Sequence, residues 1–259
     1  MTKTFSHSGT TGDVFNAMSV VKALGGGHLY LKLNHLAKAV REKLGWDIDP
    51  IHAGRMTQHD FDIMKEFILH QPYITGFSVW NGEHIDHDFD EMALHHETGI
   101  FPRNFPNQYA KSQGLNLEEY KTVLQKLPYM ECREPIKIQD RPFVIFRGER
   151  YQSGNETLSK QWLEWINWGL LERSVFVGLP NDHQWFCKVF NAEVPHYQTP
   201  TFMDMARVMQ GSEMIITSMS SPCAMGLALG KTMWIETRKN EPHDRLEVNY
   251  PFRMNVFYF

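Results

Sequence analysis

Four groups of residues have types and spacing suited to chemistry, and the first is a polar turn near the start of the chain. Gly9 and Gly12 are three residues apart, Thr10 and Thr11 lie between them, and Asp13 follows directly. Glycines at a strand-to-helix turn let the backbone approach a ligand, and the helix N-terminus offers N–H groups to an anion. Asp13 is then either a helix-start residue or a base directed into a cleft. The spacing alone leaves both interpretations open.

The second group is a pair of arginines, Arg147 and Arg150, which flank Gly148 and Glu149 directly after an apolar segment. Guanidinium groups match the geometry of phosphate oxygens, so this pair could clamp a phosphate. The alternative is a solvated charged turn in which an arginine pairs with Glu149. Both interpretations are compatible with the spacing.

The third and fourth groups follow two late strands of the C-terminal half. Ser218, Ser220 and Ser221 precede Pro222, a pattern that predicts a helix start with a serine cap. The same N–H groups and hydroxyls could bind an anion. Glu236 ends an apolar segment, where an acidic residue either holds ribose hydroxyls or is an ordinary surface residue.

Two further clusters have less specific patterns. The acidic run 84–91 contains two histidines and several aspartates, but it lacks the spacing of known zinc motifs and is equally typical of a solvated face. We expect no metal there. Trp162, Trp165 and Trp168 recur every third residue, which places them along one helical stripe. Core or domain-interface packing is the expected role, with stacking on a base or sugar as the alternative.

The elements that position these groups are alternating strands and helices. Strands are predicted at Lys3–Phe5, Leu29–Leu33, Ile74–Trp80, Phe143–Phe146, Ser174–Leu179, Met214–Thr217 and Met233–Glu236, with a further short segment at Val194–Tyr197. Helices are predicted at Val14–Leu24, after Asn34, after Thr57, after Asn116, and at Ser159–Gly169, Asn181–Phe190, Phe202–Gln210 and Pro222–Leu229. This alternation predicts an α/β protein of two Rossmann-like halves facing a cleft. The expected domains are residues 1–140 and 141–259, with ligands at the carboxyl ends of the strands.

Composition excludes several classes of protein. The 259 residues are 42% hydrophobic and 22% charged, as in an ordinary globular protein. The net charge of −4 gives no general basic surface for nucleic acid, although it leaves a local basic patch open. Three cysteines without paired spacing indicate a reducing compartment. We find no signal-peptide pattern and no apolar run long enough to span a bilayer, and we therefore expect a cytoplasmic protein.

With these residues in hand, the chain resembles the GT-B glycosyltransferases, in particular the short heptosyltransferase-like proteins of bacteria and their phages. The resemblance rests on the segments 11–17, 176–187, 206–211, 214–224 and 234–236. It covers about residues 3–33 and 142–237 and fades between them. Where the family turn often contains a Lys or Arg, this chain has His7, Thr10 and Thr11.

The resemblance implies an inverting glycosyltransferase that needs no metal or other cofactor. Asp13 would be the catalytic base, and a nucleoside diphosphate sugar would be the donor. The implied donor-binding residues are Gly9, Thr10, Thr11, Gly12, Arg147, Arg150, Gly178, Ser218, Ser220, Ser221 and Glu236. The acceptor would be a hydroxymethylpyrimidine in phage DNA or a saccharide. The alternatives are a non-catalytic nucleotide-sugar-binding protein and a nucleotide-sugar epimerase.

Overall fold

The computed structural model describes residues 2–35, 56–90, 105–116, 128–148, 164, 165, 167–218, 220–236 and 256–258. These residues form two compact units, one up to Glu131 and the other from Cys132 onward. Within these ranges no helix is long and apolar enough to cross a membrane.

The first unit contains a parallel sheet of four strands in the order β3-β2-β1-β4. The strands are β1 (Lys3–His7), β2 (Gly27–Leu31), β3 (Ile74–Val79) and β4 (His87–Asp88), and the helices are α1 (Thr11–Ala23), α2 (Gln58–Leu69) and α3 (Phe105–Ser112). Gly26, at φ +79°, passes so close to the Tyr73 carbonyl that a Cβ there would lie 2.0 Å from its oxygen. Only glycine fits this turn between α1 and β2.

One face of this sheet is apolar. Phe5, Leu29 and Phe77 lie in register on β1, β2 and β3 and are buried. Phe61 of α2 stacks on Phe77 with ring centroids 4.7 Å apart. Because side chains alternate along a strand, Ser6, Tyr30 and Ser78 lie together on the opposite face.

The second unit contains a parallel sheet of six strands in the order β10-β9-β8-β5-β6-β7. The strands are β5 (Phe143–Phe146), β6 (Ser174–Val177), β7 (His196–Tyr197), β8 (Met214–Ser218), β9 (Met233–Glu236) and β10 (Val256–Tyr258). The helices are α4 (Pro180–Phe190), α5 (Phe202–Gly211) and α6 (Ser221–Ala228). The central strands are almost continuously apolar, as parallel strands covered on both faces usually are.

The core of this unit contains Ile145 and Ile216 from the central strands, together with Phe186 and Phe190 from α4 and the buried Trp165. The predicted tryptophan stripe is only partly correct. Trp168 lies in a turn and is 61% exposed, because the described helix ends before it. Trp162 lies outside the described residues.

The predicted α/β class and most element positions in these ranges are confirmed, with ends that match or differ by up to three residues. The helices predicted after Asn34 and Asn116 lie outside the described residues, as does most of the one at Ser159–Gly169. The first helix begins at Thr11 instead of Val14, so Gly12 and Asp13 belong to its first turn. Three elements, β4, α3 and β10, have no counterpart among the predicted strands and helices.

Candidate active site

Asp13 is part of the N-terminal cap of α1. Thr10 is the capping residue, and Oδ2 of Asp13 accepts hydrogen bonds from the Thr10 N–H and hydroxyl, each at 2.8 Å. This reciprocal arrangement satisfies helix-start groups that would otherwise lack partners. The other oxygen, Oδ1, accepts no hydrogen bond within the described part of the chain. The helix-start interpretation is thus correct for one oxygen, and the second remains available for chemistry.

The amides of the turn are largely used inside the molecule. The Ser8 N–H donates to Asp90, the Gly9 N–H to Nδ1 of His7, and the Thr10 N–H to Asp13. Three successive backbone donors of the turn therefore have intramolecular partners. Gly12 and Thr11 are the first two residues of α1. A role for Gly9, Thr10, Thr11 and Gly12 in donor binding stays a prediction.

A buried His–Tyr pair lies under the turn. Nε2 of His7 and the hydroxyl of Tyr109 are 3.0 Å apart, and the two residues are 3% and 0% exposed. Burial lowers the pKa of His7, and the charges of Asp90, Asp13 and Asp88 only partly oppose this effect. Burial also raises the pKa of Tyr109 well above its usual value. Both groups are therefore neutral near pH 7.

A buried ion-pair network continues from this pair. Nζ of Lys32 lies 2.7 Å from Oδ2 of Asp88 and 3.0 Å from Oδ2 of Asp90. Burial lowers the pKa of Lys32, but its hydrogen bonds to these two carboxylates and their charges raise it more, so the pKa lies above its usual value. An ammonium thus occupies the space between two carboxylates. The described residues contain no group of three or more His, Cys, Asp or Glu arranged to hold a metal ion.

The acidic run forms a ladder along β1. From residue 86 to residue 90 of the run, alternate residues are aspartates, and each accepts hydrogen bonds from an alternate residue of β1 or of the turn that follows it. The pairs are Asp86 with Thr4, Asp88 with Ser6, and Asp90 with Ser8. The sequence of this run suggested a solvated face, with a metal site as the alternative that we did not expect, and the ladder is a third arrangement.

In the second unit, Arg147, Ser218 and Glu236 lie in one row across three strands. Ser218 and Glu236 are paired in register on β8 and β9, and Arg147 follows the β5 residue that pairs with Thr217. Two residues earlier, Ile145, Ile216 and Trp234 form the preceding row on the same face. The row therefore stands at the carboxyl edge of the sheet, on the face covered by α4.

Arg147 spans this row and binds Glu236. Its Nε and Nη2 atoms donate to the two carboxylate oxygens, the second at 2.9 Å. The guanidinium carbon lies 4.6 Å from the ring centroid of Trp185. Buried Nη1 has no hydrogen-bond partner among the described residues. The sequence analysis placed both residues at strand ends, but it did not foresee that they bind each other; Arg150 lies outside the described residues.

The serine turn begins helix α6 as predicted. Ser220 is the capping residue, but its hydroxyl donates to the Ser218 carbonyl at 3.0 Å and makes no side-chain cap. Ser221 is the first helical residue, which places Pro222 second. The hydroxyl of Ser218 is buried without a partner among the described residues. Gly178 lies at the end of β6, where its carbonyl accepts from Nε2 of His196 at 2.9 Å.

The sequence analysis missed His7, Lys32, Asp90 and Tyr109 as members of the site. The matching period of two in residues 4–8 and 86–90 was a usable signal for the aspartate ladder. No local signal links Tyr109 to the turn, because it lies 102 residues from His7.

These two parallel α/β units give the chain a heptosyltransferase-like fold of the GT-B type, as comparison with solved structures shows. No protein-family model matches the sequence, and no curated protein does either. Solved structures do match over almost the whole chain, at low sequence identity, so the likeness concerns the fold.

Three solved structures illustrate this likeness. A family 9 glycosyltransferase from Veillonella parvula DSM 2008 has a TM-score of 0.51 and 11% identity, covering 99% of this chain and 84% of that one. The ADP-heptose LPS heptosyltransferase II of E. coli has a TM-score of 0.55 and 11% identity, covering 100% and 90%. The iron-containing dodecameric glycosyltransferase TibC from enterotoxigenic E. coli H10407 has a TM-score of 0.52 and 12% identity, covering 98% and 62%.

Proposed function

We propose that the protein is an inverting glycosyltransferase that moves a sugar from a nucleoside diphosphate sugar to an acceptor hydroxyl. Asp13 is the general base that removes the proton of the acceptor hydroxyl as its oxygen attacks the anomeric carbon. The observation that carries this proposal is the placement of Asp13, in a chain with the fold of glycosyltransferases. Its carboxylate is fixed by the cap through Oδ2 and keeps Oδ1 for a proton.

The C-terminal unit binds the donor in this proposal. The N-terminus of α6, next to Ser220 and Ser221, faces the leaving diphosphate, whose developing charge the helix dipole stabilises. Arg147 holds Glu236, and each carboxylate oxygen has a second lone pair that can accept from a ribose hydroxyl. Arg147 therefore positions Glu236, while Nη1 and the Ser218 hydroxyl are the donors left for ligand oxygens. No divalent metal takes part in this scheme.

Replacement of Asp13 by Asn tests the base. An amide oxygen still accepts the Thr10 hydrogen bonds, so the cap survives while the proton acceptor is lost. We expect transfer to fall by about 10²- to 10⁴-fold with nucleotide binding retained. Asp60 is the matched control, because it makes the same cap with Thr57 at the start of α2. If D13N transfers sugar at the wild-type rate, or if D60N loses as much activity, Asp13 is not the base.

The acceptor is tested by incubating the wild-type protein with a panel of nucleotide sugars and acceptors, read by mass spectrometry. The panel begins with ADP-heptose, because one solved structure of this fold is described as a complex with ADP-D-β-D-heptose. The acceptors are saccharides and DNA that contains hydroxymethylpyrimidine. Transfer in the presence of EDTA supports the scheme without metal.

The same experiment separates the two alternative functions. A nucleotide sugar altered without any acceptor indicates an epimerase. Nucleotide-sugar binding without any reaction indicates a non-catalytic binding protein.

A further inference from the structure

His7 contacts the turn that precedes Asp13, and this contact defines the protonation state of its ring. Nδ1 of the ring accepts the Gly9 N–H at a donor–acceptor distance of 2.7 Å, so this nitrogen carries no proton. The hydrogen of the neutral ring is therefore on Nε2, which donates to the Tyr109 hydroxyl at 3.0 Å. Both nitrogens are engaged, and this fixes the tautomer as well as the orientation of the ring.

The ring, the turn and the proposed base are packed against one another. A Cβ placed on Gly9 would lie 2.5 Å from Cε1 of His7 and 2.9 Å from Oδ2 of Asp13. Gly9 is thus held between the imidazole and the carboxylate with no room for a side chain. Because Oδ2 also binds the Thr10 N–H, a shift of His7 moves the whole turn.

We propose that His7, held in place by Tyr109, is the positioning residue for the turn that carries Asp13, and that the turn is competent only while His7 is neutral. This inference rests on the proposed glycosyltransferase function for its consequence in catalysis. Its structural part, the neutral ring that orders the turn, does not depend on that function. A protonated Nδ1 has no lone pair for the Gly9 N–H, so protonation removes the contact.

The charges around His7 help to set the pH at which the ring is protonated and loses its hydrogen bond with Gly9. Asp13 faces it from α1, Asp88 and Asp90 from the β4 segment, Lys32 from the residue after β2, and Tyr109 from α3. Burial lowers the pKa of His7, the three aspartates raise it, and Lys32 lowers it, which leaves the pKa below the usual 6.5. The ordered turn is therefore present above pH 6.5 and is lost as the pH falls through the pKa of the folded protein.

Two substitutions of His7 separate its roles in transfer. In His7→Asn the amide oxygen can still accept the Gly9 N–H, whereas His7→Phe offers no acceptor. We expect kcat to fall by about 100-fold in H7F, the loss that a misplaced catalytic group produces, with the KM for the donor unchanged. We expect H7N to retain more activity than H7F. In H7N the fall of kcat on the acidic side of the pH profile should move to lower pH, because no imidazole titrates at this position.

The matched control is His84→Asn, since His84 is an exposed histidine of the same unit whose side chain does not contact the turn. We expect H84N to keep the wild-type pH profile. The positioning role is overturned if kcat of H7N falls at the same acidic pH as kcat of the wild-type protein, or if H7F and the wild-type protein have equal kcat.

Hydrogen exchange tests the structural part without any transfer. In the wild-type protein we expect the Gly9 and Thr10 amides to lose protection as the pH falls below 6.5, after correction for intrinsic exchange, together with the NMR titration of His7. H7F should show about tenfold faster exchange at both amides at pH 7.5. If Gly9 and Thr10 stay protected while His7 titrates, the proposal is wrong. If the amides respond but no nucleotide sugar reacts with the wild-type protein, the proposed function fails and the ordering role stands.

Discussion

At the scale of single residues, the two oxygens of Asp13 have different contacts, which the sequence alone did not show. Oδ2 stabilises the start of α1, and Oδ1 is the atom that would take the proton in the proposed reaction. Arg147 shows a similar division of contacts. Two of its nitrogens donate to Glu236, and the buried Nη1 has no acceptor among the described residues. In the proposed mechanism, the intramolecular contacts of the Asp13 carboxylate and the Arg147 guanidinium hold each group in position to bind a substrate through its remaining atom.

Loss of Lys32 should lower the stability of the first unit, because Lys32 separates two carboxylates. Replacement by Met leaves the carboxylates of Asp88 and Asp90 facing each other without a cation. We expect the free energy of unfolding at pH 7 to fall by about 3 kcal/mol, the lower end of the usual cost because the Asp88 side chain is 33% exposed. The loss should shrink as the pH falls and the carboxylates take up protons. Urea denaturation of K32M at several pH values measures both effects.

Lys231→Met is the control for that experiment. Lys231 donates to the carbonyls of Gln210 and Ser212, so its replacement removes neutral partners and should give a smaller loss without the same pH dependence. If K32M is as stable as the wild-type protein at pH 7, the two carboxylates do not need the ammonium.

At the scale of elements, the sequence predicted what local periodicity determines. The helix predicted after Thr57 is α2, whose buried residues Phe61, Met64, Phe67 and Ile68 recur at helical spacing. Strands β5 and β9 have the predicted ends, because an apolar run and its flanking polar residues define them locally. By contrast, β4 has two residues, and its place beside β1 depends on hydrogen bonds from residues 82 positions away. Neither segment alone carries that information; only the matching period of two in residues 4–8 and 86–90 relates them.

The turn between β1 and α1 gives a prediction at this scale. Gly9→Ala puts a methyl group 2.5 Å from the buried ring of His7, so the ring or the turn must move. We expect a loss of about 1–3 kcal/mol in stability, as overpacking usually costs, together with a loss of transfer. Thermal denaturation and steady-state kinetics measure the two. Gly148→Ala is the stability control, because the nearest atom to its Cβ would be 3.7 Å away; an equal loss in both variants would mean that the contact with His7 is not the cause.

At the scale of the whole molecule, alternation of strands and helices was sufficient to predict two parallel α/β units. It was not sufficient for the pairing of Arg147 with Glu236, which are 89 residues apart. That contact follows from the order β9-β8-β5 and from the register of the three strands. Each residue could be predicted as a candidate from the end of its own strand. Their contact could be predicted only with the order and register of the strands in the sheet.

Division of the chain into two units allows donor binding to be assigned by its effect on unfolding. A ligand that binds only the folded protein stabilises it by about 2.7 kcal/mol at 100 times its dissociation constant. In calorimetry, we expect a bound nucleotide sugar to raise the unfolding temperature of the C-terminal unit if the two units unfold separately.

Two variants test this assignment. D13N should keep the full shift in unfolding temperature, because Asp13 belongs to the other unit. Glu236→Gln should reduce it, because Arg147 loses its ionic partner and the site loses an acceptor for ribose. A full shift in E236Q together with none in D13N would place the donor on the N-terminal unit, at the turn whose amides His7, Asp13 and Asp90 already occupy.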